Sequence, residues 1–271
     1  MSTPSPVFGL PAYAELFCLS NFSFLHGASR AEELVARAVQ LDYAALAITD
    51  ECSLAGVVRA HAEAKGKIPL IIGSYFRLTN PDGSPGPSLV ALARNRDGYG
   101  NLCEIITIAR NRVAKGSYLL TPADLAAPPP AFAHLKGLPD CLLILLPHYP
   151  AHRPQDVDQL HAQAAWMEAT FPGRAWMGLN LLLRPFDEAH RLSIAEVAAQ
   201  HQMAVVAVGH VCMHVRSRKP LQDTMTAIRI GKPVSECGYE LAQNAEQHLR
   251  PRMQLANLYP PAALAETLRI A

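Results

Sequence analysis

Short apolar runs alternate along the chain with longer stretches in which apolar residues recur three and four apart. The short runs read as strands covered on both faces, the longer stretches as amphipathic helices. Strands are predicted over Tyr13–Cys18, Ala44–Thr49, Pro69–Arg77, Ser88–Ala93, Cys141–Leu146, Trp176–Leu182 and Ala204–Val208. Helices are predicted over Ser29–Leu41, Leu54–Lys65, Asp97–Asn111, Val157–Phe171, Asp187–His201, Pro220–Ile230 and Pro261–Ala271. In the first helix Ser29 is the expected N-cap, with Glu32 completing a capping box; Leu34, Val35, Ala38 and Leu41 form its buried face. Asn80–Gly86 is a turn-forming loop. Thr121–Pro139, with Pro128-Pro129-Pro130, reads as a surface excursion, because the alternation resumes after it. About seven strands alternating with helices predict an α/β chain with a mostly parallel sheet. A barrel is favoured over an open dinucleotide-binding sheet, since nothing like G-x-G-x-x-G follows the first strand.

The length, 271 residues, suits one barrel, a fold that typically takes ~250, so residues 1–271 are expected to form a single domain. Half of the residues are hydrophobic and 17% are charged, which supplies a core and excludes extensive disorder. Lys plus Arg number 24 against 23 for Asp plus Glu, so there is no global attraction to nucleic acid. The longest apolar run stops at Pro147, far short of the ~20 residues of a membrane span. Met1–Pro11 lacks the pattern of a signal peptide. The six cysteines contain no C-x-x-C pair, which fits reduced thiols in a cytoplasmic protein and argues against a Cys-rich zinc site.

In α/β barrels the functional residues sit at the C-terminal ends of strands. Asp50, followed by Glu51, is the leading polar candidate there; the competing reading is that Asp50 caps the next helix or anchors the turn. His210, Cys212 and His214 alternate, and on an extended segment they would share a side and could ligate Zn²⁺. The competing reading is a surface turn with an ordinary histidine and a buried thiol, because no second ligand cluster completes a shell. Arg216, Arg218 and Lys219 could touch phosphate, or could be a solvated surface. Trp166, Phe171 and Trp176 have spacings that suit a core.

The stretch Glu15–Ser29, with Phe17-Cys18-Leu19, resembles the first motif of the PHP domain (polymerase and histidinol phosphatase) of bacterial C-family DNA polymerases. Ala47–Gly56 resembles its second motif and Ile71–Phe76 its third. Asn95–Arg110 is similar to the segment that follows in polymerase III alpha subunits, and His214–Ala271 is similar to the error-prone, damage-inducible branch. The resemblance implies a distorted seven-stranded (β/α) barrel of PHP type at a polymerase N-terminus. In metal-binding members up to three metals at the barrel mouth support phosphoester hydrolysis or proofreading. Here Phe17 and Leu19 stand where those members have His-x-His. Asp50 is kept, Glu51 replaces a common His, and Tyr75, neutral with a pKa of ~10, replaces a Glu. His210 and Cys212 match an Asp-x-His, and His26 matches an Asp.

The resemblance therefore implies a degenerate metal site, with no catalytic residues and no cofactor in this segment. The alternative is a metal-dependent phosphoesterase or 3′–5′ exonuclease with an unusual ligand set, or a single Zn²⁺ held by His26, Asp50, Glu51, His210 and Cys212. A polymerase also needs a palm whose carboxylates hold Mg²⁺, and residues 215–271 would lead toward it. The expected role is structural or interactive, within an error-prone translesion polymerase. Expected partners are DNA through the full-length polymerase, its other domains in cis, translesion accessory proteins and the sliding clamp, with no membrane.

Overall fold

A computed structural model describes residues 9–149 and 155–271; most of Met1–Pro11, read above for a signal peptide, lies outside the described residues. The strands are β1 (Ala14–Glu15), β2 (Ala45–Ile48), β3 (Leu70–Thr79), β4 (Pro85–Ala93), β5 (Cys141–Leu146), β6 (Ala175–Leu179) and β7 (Ala204–Ala207). The helices are α1 (Ala31–Gln40), α2 (Val57–Ala64), α3 (Arg96–Asn111), α4 (Pro122–Ala126), α5 (Val157–Thr170), α6 (Asp187–Gln200), α7 (Lys219–Ile230), α8 (Arg252–Leu258) and α9 (Pro261–Ile270). The strands form one sheet in sequence order. The sheet curls into a distorted barrel: beyond β1 and β7 the chain bridges at Cys18 and Val211, where Leu19 N–H donates to Val211 O (2.8 Å) and Val211 N–H to Phe17 O (2.9 Å). Among the described residues no helix is long and apolar enough to cross a membrane.

Alternation along the strands builds two apolar layers. Leu46, Leu89, Leu143 and Met177 belong to the outer layer, which they share with Leu34 of α1, Leu102 of α3, Leu160 of α5 and Ile194 of α6. Phe17, Leu19, Val90, Leu92, Ile144, Val206 and Val208 fill the interior.

Several expectations are corrected. The sheet is mixed, because β4 runs antiparallel to both β3 and β5. The connection around Asn80–Ser84 is only a hairpin, with Gly83 at φ +83°, and a parallel return needs a crossover of about a dozen residues. β4 accordingly starts at Pro85, inside the predicted loop. β1 is shorter than Tyr13–Cys18, since only Ala14 and Glu15 pair in register with β2. The buried Glu15 carboxylate accepts the N–H groups of Phe17 (3.0 Å) and Gly209 (2.9 Å), so a side chain bridges the gap between the first and last strands. At α1 the expected cap shifts by one: Arg30 N–H donates to Glu33 (2.9 Å), and Ser29 turns to His214. α2 starts at Val57 rather than Leu54, and α8 falls in a stretch where no helix was expected.

The C-terminal part packs on the barrel. Thr267 Oγ1 of α9 accepts Ala14 N–H of β1 (3.2 Å). Arg250, 1% exposed, donates to Leu181 O (2.8 Å) and Tyr259 Oη (3.0 Å), while its own carbonyl accepts the Tyr43 hydroxyl (2.7 Å).

Candidate functional site

At the barrel mouth, the end where the parallel strands terminate, aromatic rings stand in the centre. Phe17 stacks on His210 with ring centroids 4.4 Å apart and planes 18° apart, and packs against Tyr75 at 5.0 Å. Phe17 and Leu19 are each only 2% exposed. Burial, helped by Arg184, His26 and Arg77, lowers the pKa of His210 to about 3, so the stacked ring is neutral. Burial pushes the Tyr75 hydroxyl up to about 12 and the Cys212 thiol also to about 12, which keeps both protonated.

Asp50 lies beside this cluster with both oxygens engaged. Oδ1 accepts Ser20 N–H (2.8 Å) and the Ser23 hydroxyl (2.7 Å), and Oδ2 accepts the Ser20 hydroxyl (2.7 Å). Asp50 O accepts the Ser74 hydroxyl (2.8 Å). The carboxylate thus clasps the loop after β1, and burial raises its pKa despite these donors. Gly56 permits the close fit, since a Cβ there would stand 2.5 Å from Asp50 Oδ2. Asp50→Ala is expected to cost about 2–4 kcal/mol by stranding buried hydrogen-bond donors. Asp50→Asn, which keeps an acceptor for Ser20 N–H, should cost clearly less. Urea denaturation of the two variants checks this; equal losses would mean that the clasp contributes little.

Glu51 is drawn sideways. Its Oε1 accepts from Arg77 Nε (2.7 Å) and from the Tyr118 hydroxyl (2.9 Å), and Oε2 lies 3.9 Å from His26 Nε2. The Glu51 carboxylate raises the pKa of Arg77, while burial lowers that of His26. The expected alternation of His210, Cys212 and His214 on one side does not hold. His210 has a left-handed backbone, φ 47°, and the three side chains part company at His214. His26, His210 and Cys212 border one cavity of about 300 Å³. His214 instead bonds Ser29, with Nδ1 2.8 Å from the hydroxyl that also accepts its N–H. Among the described residues no three His, Cys, Asp or Glu side chains form a group that could hold a metal ion. The residues present do not fit the metal cluster that the fold implies: the central positions are hydrocarbon, and the remaining carboxylates are saturated by protein donors.

The basic run is also internally paired. Arg216 binds Glu246, Arg218 binds Glu33 at 2.6 Å, and Lys219 binds Asp223 at 2.5 Å. Sequence reasoning passed over Ser20, Ser23, Arg77 and Tyr118, which fix Asp50 and Glu51, and it passed over Glu15 and Arg250. Glu15 had a signal, a lone carboxylate inside an apolar run; the serines had none.

Burial lowers the pKa of His26, His190, His210, His214 and His248, to about 3 for His190 and His210. Their neutral forms contribute stability that is present above the unfolded value of about 6.5 and is lost as pH falls toward the folded values, because the unfolded chain binds protons first. Glu15 and Asp50 have raised pKa values and act oppositely, favouring the fold at low pH and losing that contribution as pH rises. Five imidazoles against two carboxylates make the first effect larger. The thermal midpoint, followed by circular dichroism, is expected to drop between pH 7 and pH 5; a rise would contradict this balance.

Residues 15–128 match the PHP domain. The chain is 57% identical over 265 residues to an error-prone DNA polymerase of Bordetella parapertussis, covering 97% of this chain and 25% of that protein. It is 55% identical over 269 residues to an error-prone DNA polymerase of Burkholderia mallei, covering 96% of this chain and 25% of that one. The chain thus spans about a quarter of the length of these relatives. Among solved structures, a Bifidobacterium adolescentis protein provisionally described as a metal-dependent phosphoesterase aligns with a TM-score of 0.51 at 15% identity, over 74% of this chain and 88% of its own. An amidohydrolase from Chromobacterium violaceum, solved with bound sulfate and no metal, aligns with a TM-score of 0.50 at 15% identity, over 73% and 86%. At that identity the likeness concerns the fold alone.

Proposed function

The chain belongs to the PHP domain family, in the form carried by bacterial error-prone DNA polymerases, and from that premise we propose that it serves as a structural barrel within an error-prone translesion polymerase. One observation carries the reading: the stack of Phe17 on His210, with Tyr75 against it, occupies the place where ligands would converge. A mouth filled in this way behaves as core. DNA synthesis, and the Mg²⁺ that it needs, then fall to a palm elsewhere in the longer protein, toward which residues 215–271 would connect. The barrel would support that palm in cis and present surfaces to translesion accessory proteins or the sliding clamp, in the cytoplasm. Arg216, Arg218 and Lys219 would contact phosphate only by exchanging their present carboxylate partners.

Incubation with a single-stranded oligonucleotide and Mn²⁺ or Zn²⁺ tests the reading, together with zinc analysis of protein purified without added metal. No shortening of the strand and a zinc ratio near zero are expected. Degradation that disappears in Asp50→Asn would instead establish a hydrolase.

A further inference from the structure

The helices α5 and α6 pack against each other on the outside of the barrel, over β5, β6 and β7. Where they meet stand three side chains that neither the core nor the mouth uses. His161 and Glu168 lie on α5, seven residues and so two turns apart, on one face. His201 closes the C-terminal end of α6, where its backbone N–H donates to Val197 O (3.0 Å).

The three form a line. His161 Nδ1 lies 3.3 Å from His201 Nε2, and His201 Nδ1 lies 3.4 Å from Glu168 Oε2. The imidazole centroids are 5.5 Å apart and the ring planes 51° apart, so the facing nitrogens, and not the ring faces, make the contact. Two nitrogens facing each other in this way need something positive between them. In the protein alone that is one imidazole proton, donated by one ring to the lone pair of the other. A metal ion can serve instead, taking both lone pairs. Tetrahedral zinc, with Zn–N of ~2.0–2.1 Å, holds two nitrogens about 3.3–3.4 Å apart, which is the separation already present. Glu168 stands on the far nitrogen of His201. A carboxylate in that position takes the ring N–H, fixes the tautomer and leaves Nε2 free to donate its lone pair. The end of α6 adds the negative pole of a helix dipole, which favours a cation.

We propose that His161 and His201 form a zinc site outside the barrel, with Glu168 as the positioning residue for His201. The protein supplies two ligands, because Glu168 sits behind His201 and not beside it, and water supplies the others. The His201 side chain is 19% exposed and that of Glu168 59%, and His161 is half-buried, so water reaches the pair. A bound ion would cross-link α5 to α6. The site shares no residue with the mouth. An ion held by only two protein ligands exchanges readily, which is compatible with the near-zero zinc expected of protein purified without added metal.

Titration calorimetry of the chain with Zn²⁺ tests the proposal, with Mg²⁺ as a hard cation that imidazole does not suit. One saturable Zn²⁺ site per chain is expected, and none for Mg²⁺. His161→Ala and His201→Ala should each weaken Zn²⁺ at least about tenfold, that is about 1.4 kcal/mol. Glu168→Gln should also weaken it about tenfold, with an unchanged thermal midpoint in the absence of metal. His26→Ala, at the mouth, should leave the affinity as it is. Zn²⁺ should raise the thermal midpoint of the parent and not that of His201→Ala, whose circular dichroism without metal shows whether it keeps the fold. Indifference to Glu168→Gln would remove the carboxylate from the proposal. Binding that survives both histidine variants, binding that disappears in His26→Ala, or no saturable Zn²⁺ binding at about 1 mM would overturn it.

Discussion

Replacing Phe17 and Leu19 together with histidine is expected to destabilise the protein by roughly 3–6 kcal/mol, without creating a metal site. The double change restores the ligand types that metal-binding barrels of this fold class place there. The surroundings would not receive them. Phe17 and Leu19 are almost fully buried and pack with Val90, Ile144, Val206 and Val208, where an imidazole gives up apolar packing and pays for its desolvation. The other potential ligands are already committed: Asp50 to Ser20 and Ser23, Glu51 to Arg77 and Tyr118. Urea denaturation and zinc content after equilibration with the ion provide the two readouts. A variant as stable as the parent that retains stoichiometric zinc would show that the mouth is only two substitutions away from a working site.

A comparable loss, about 3–5 kcal/mol, is expected for Arg250→Met, because removing one member of a buried charge set leaves the others uncompensated. Arg250 favours the ionised form of the buried Glu15 and bonds Leu181 O and Tyr259. Without the guanidinium, the pKa of Glu15 should rise further. Its raised folded value means that stability is lost as pH increases through it, so the deficit should be larger at pH 8 than at pH 5. Adding Glu15→Gln should return part of the loss, as expected of neighbours that couple. Strict additivity of the two changes in denaturant titrations would show that Glu15 and Arg250 act separately.

Much of the fold was legible in the sequence because strand and helix periods differ so plainly. All seven strands were anticipated, and the outward and inward sets at Leu89–Leu92 and Leu143–Leu145 follow from simple alternation. The direction of β4 was misjudged, although the short Asn80–Ser84 link left no room for a crossover. At the mouth, the loss of ligand chemistry could be read directly, since Phe17 and Leu19 have no lone pairs to offer. The purpose now served by Asp50 could not. Its partners Ser20 and Ser23 lie 30 and 27 residues away, and ordinary serines at that distance carry no pattern. The His210–His214 spacing misled at its far end: His210 and Cys212 border one cavity, while His214 is held by Ser29.

The Glu15 bridge between the first and last strands has a consequence in time. A ladder closes a gap with many bonds that break one by one, whereas here two backbone bonds at Val211 and one carboxylate, held by Phe17 and reaching Gly209, span the join. Protonation of that one group, or a brief rotation of its side chain, would release both amides together. In hydrogen exchange the amides of Phe17 and Gly209 should therefore lose protection at a common rate, ahead of the paired interior of β3 and β4. The barrel would open along its first-to-last seam, like a coat with few buttons.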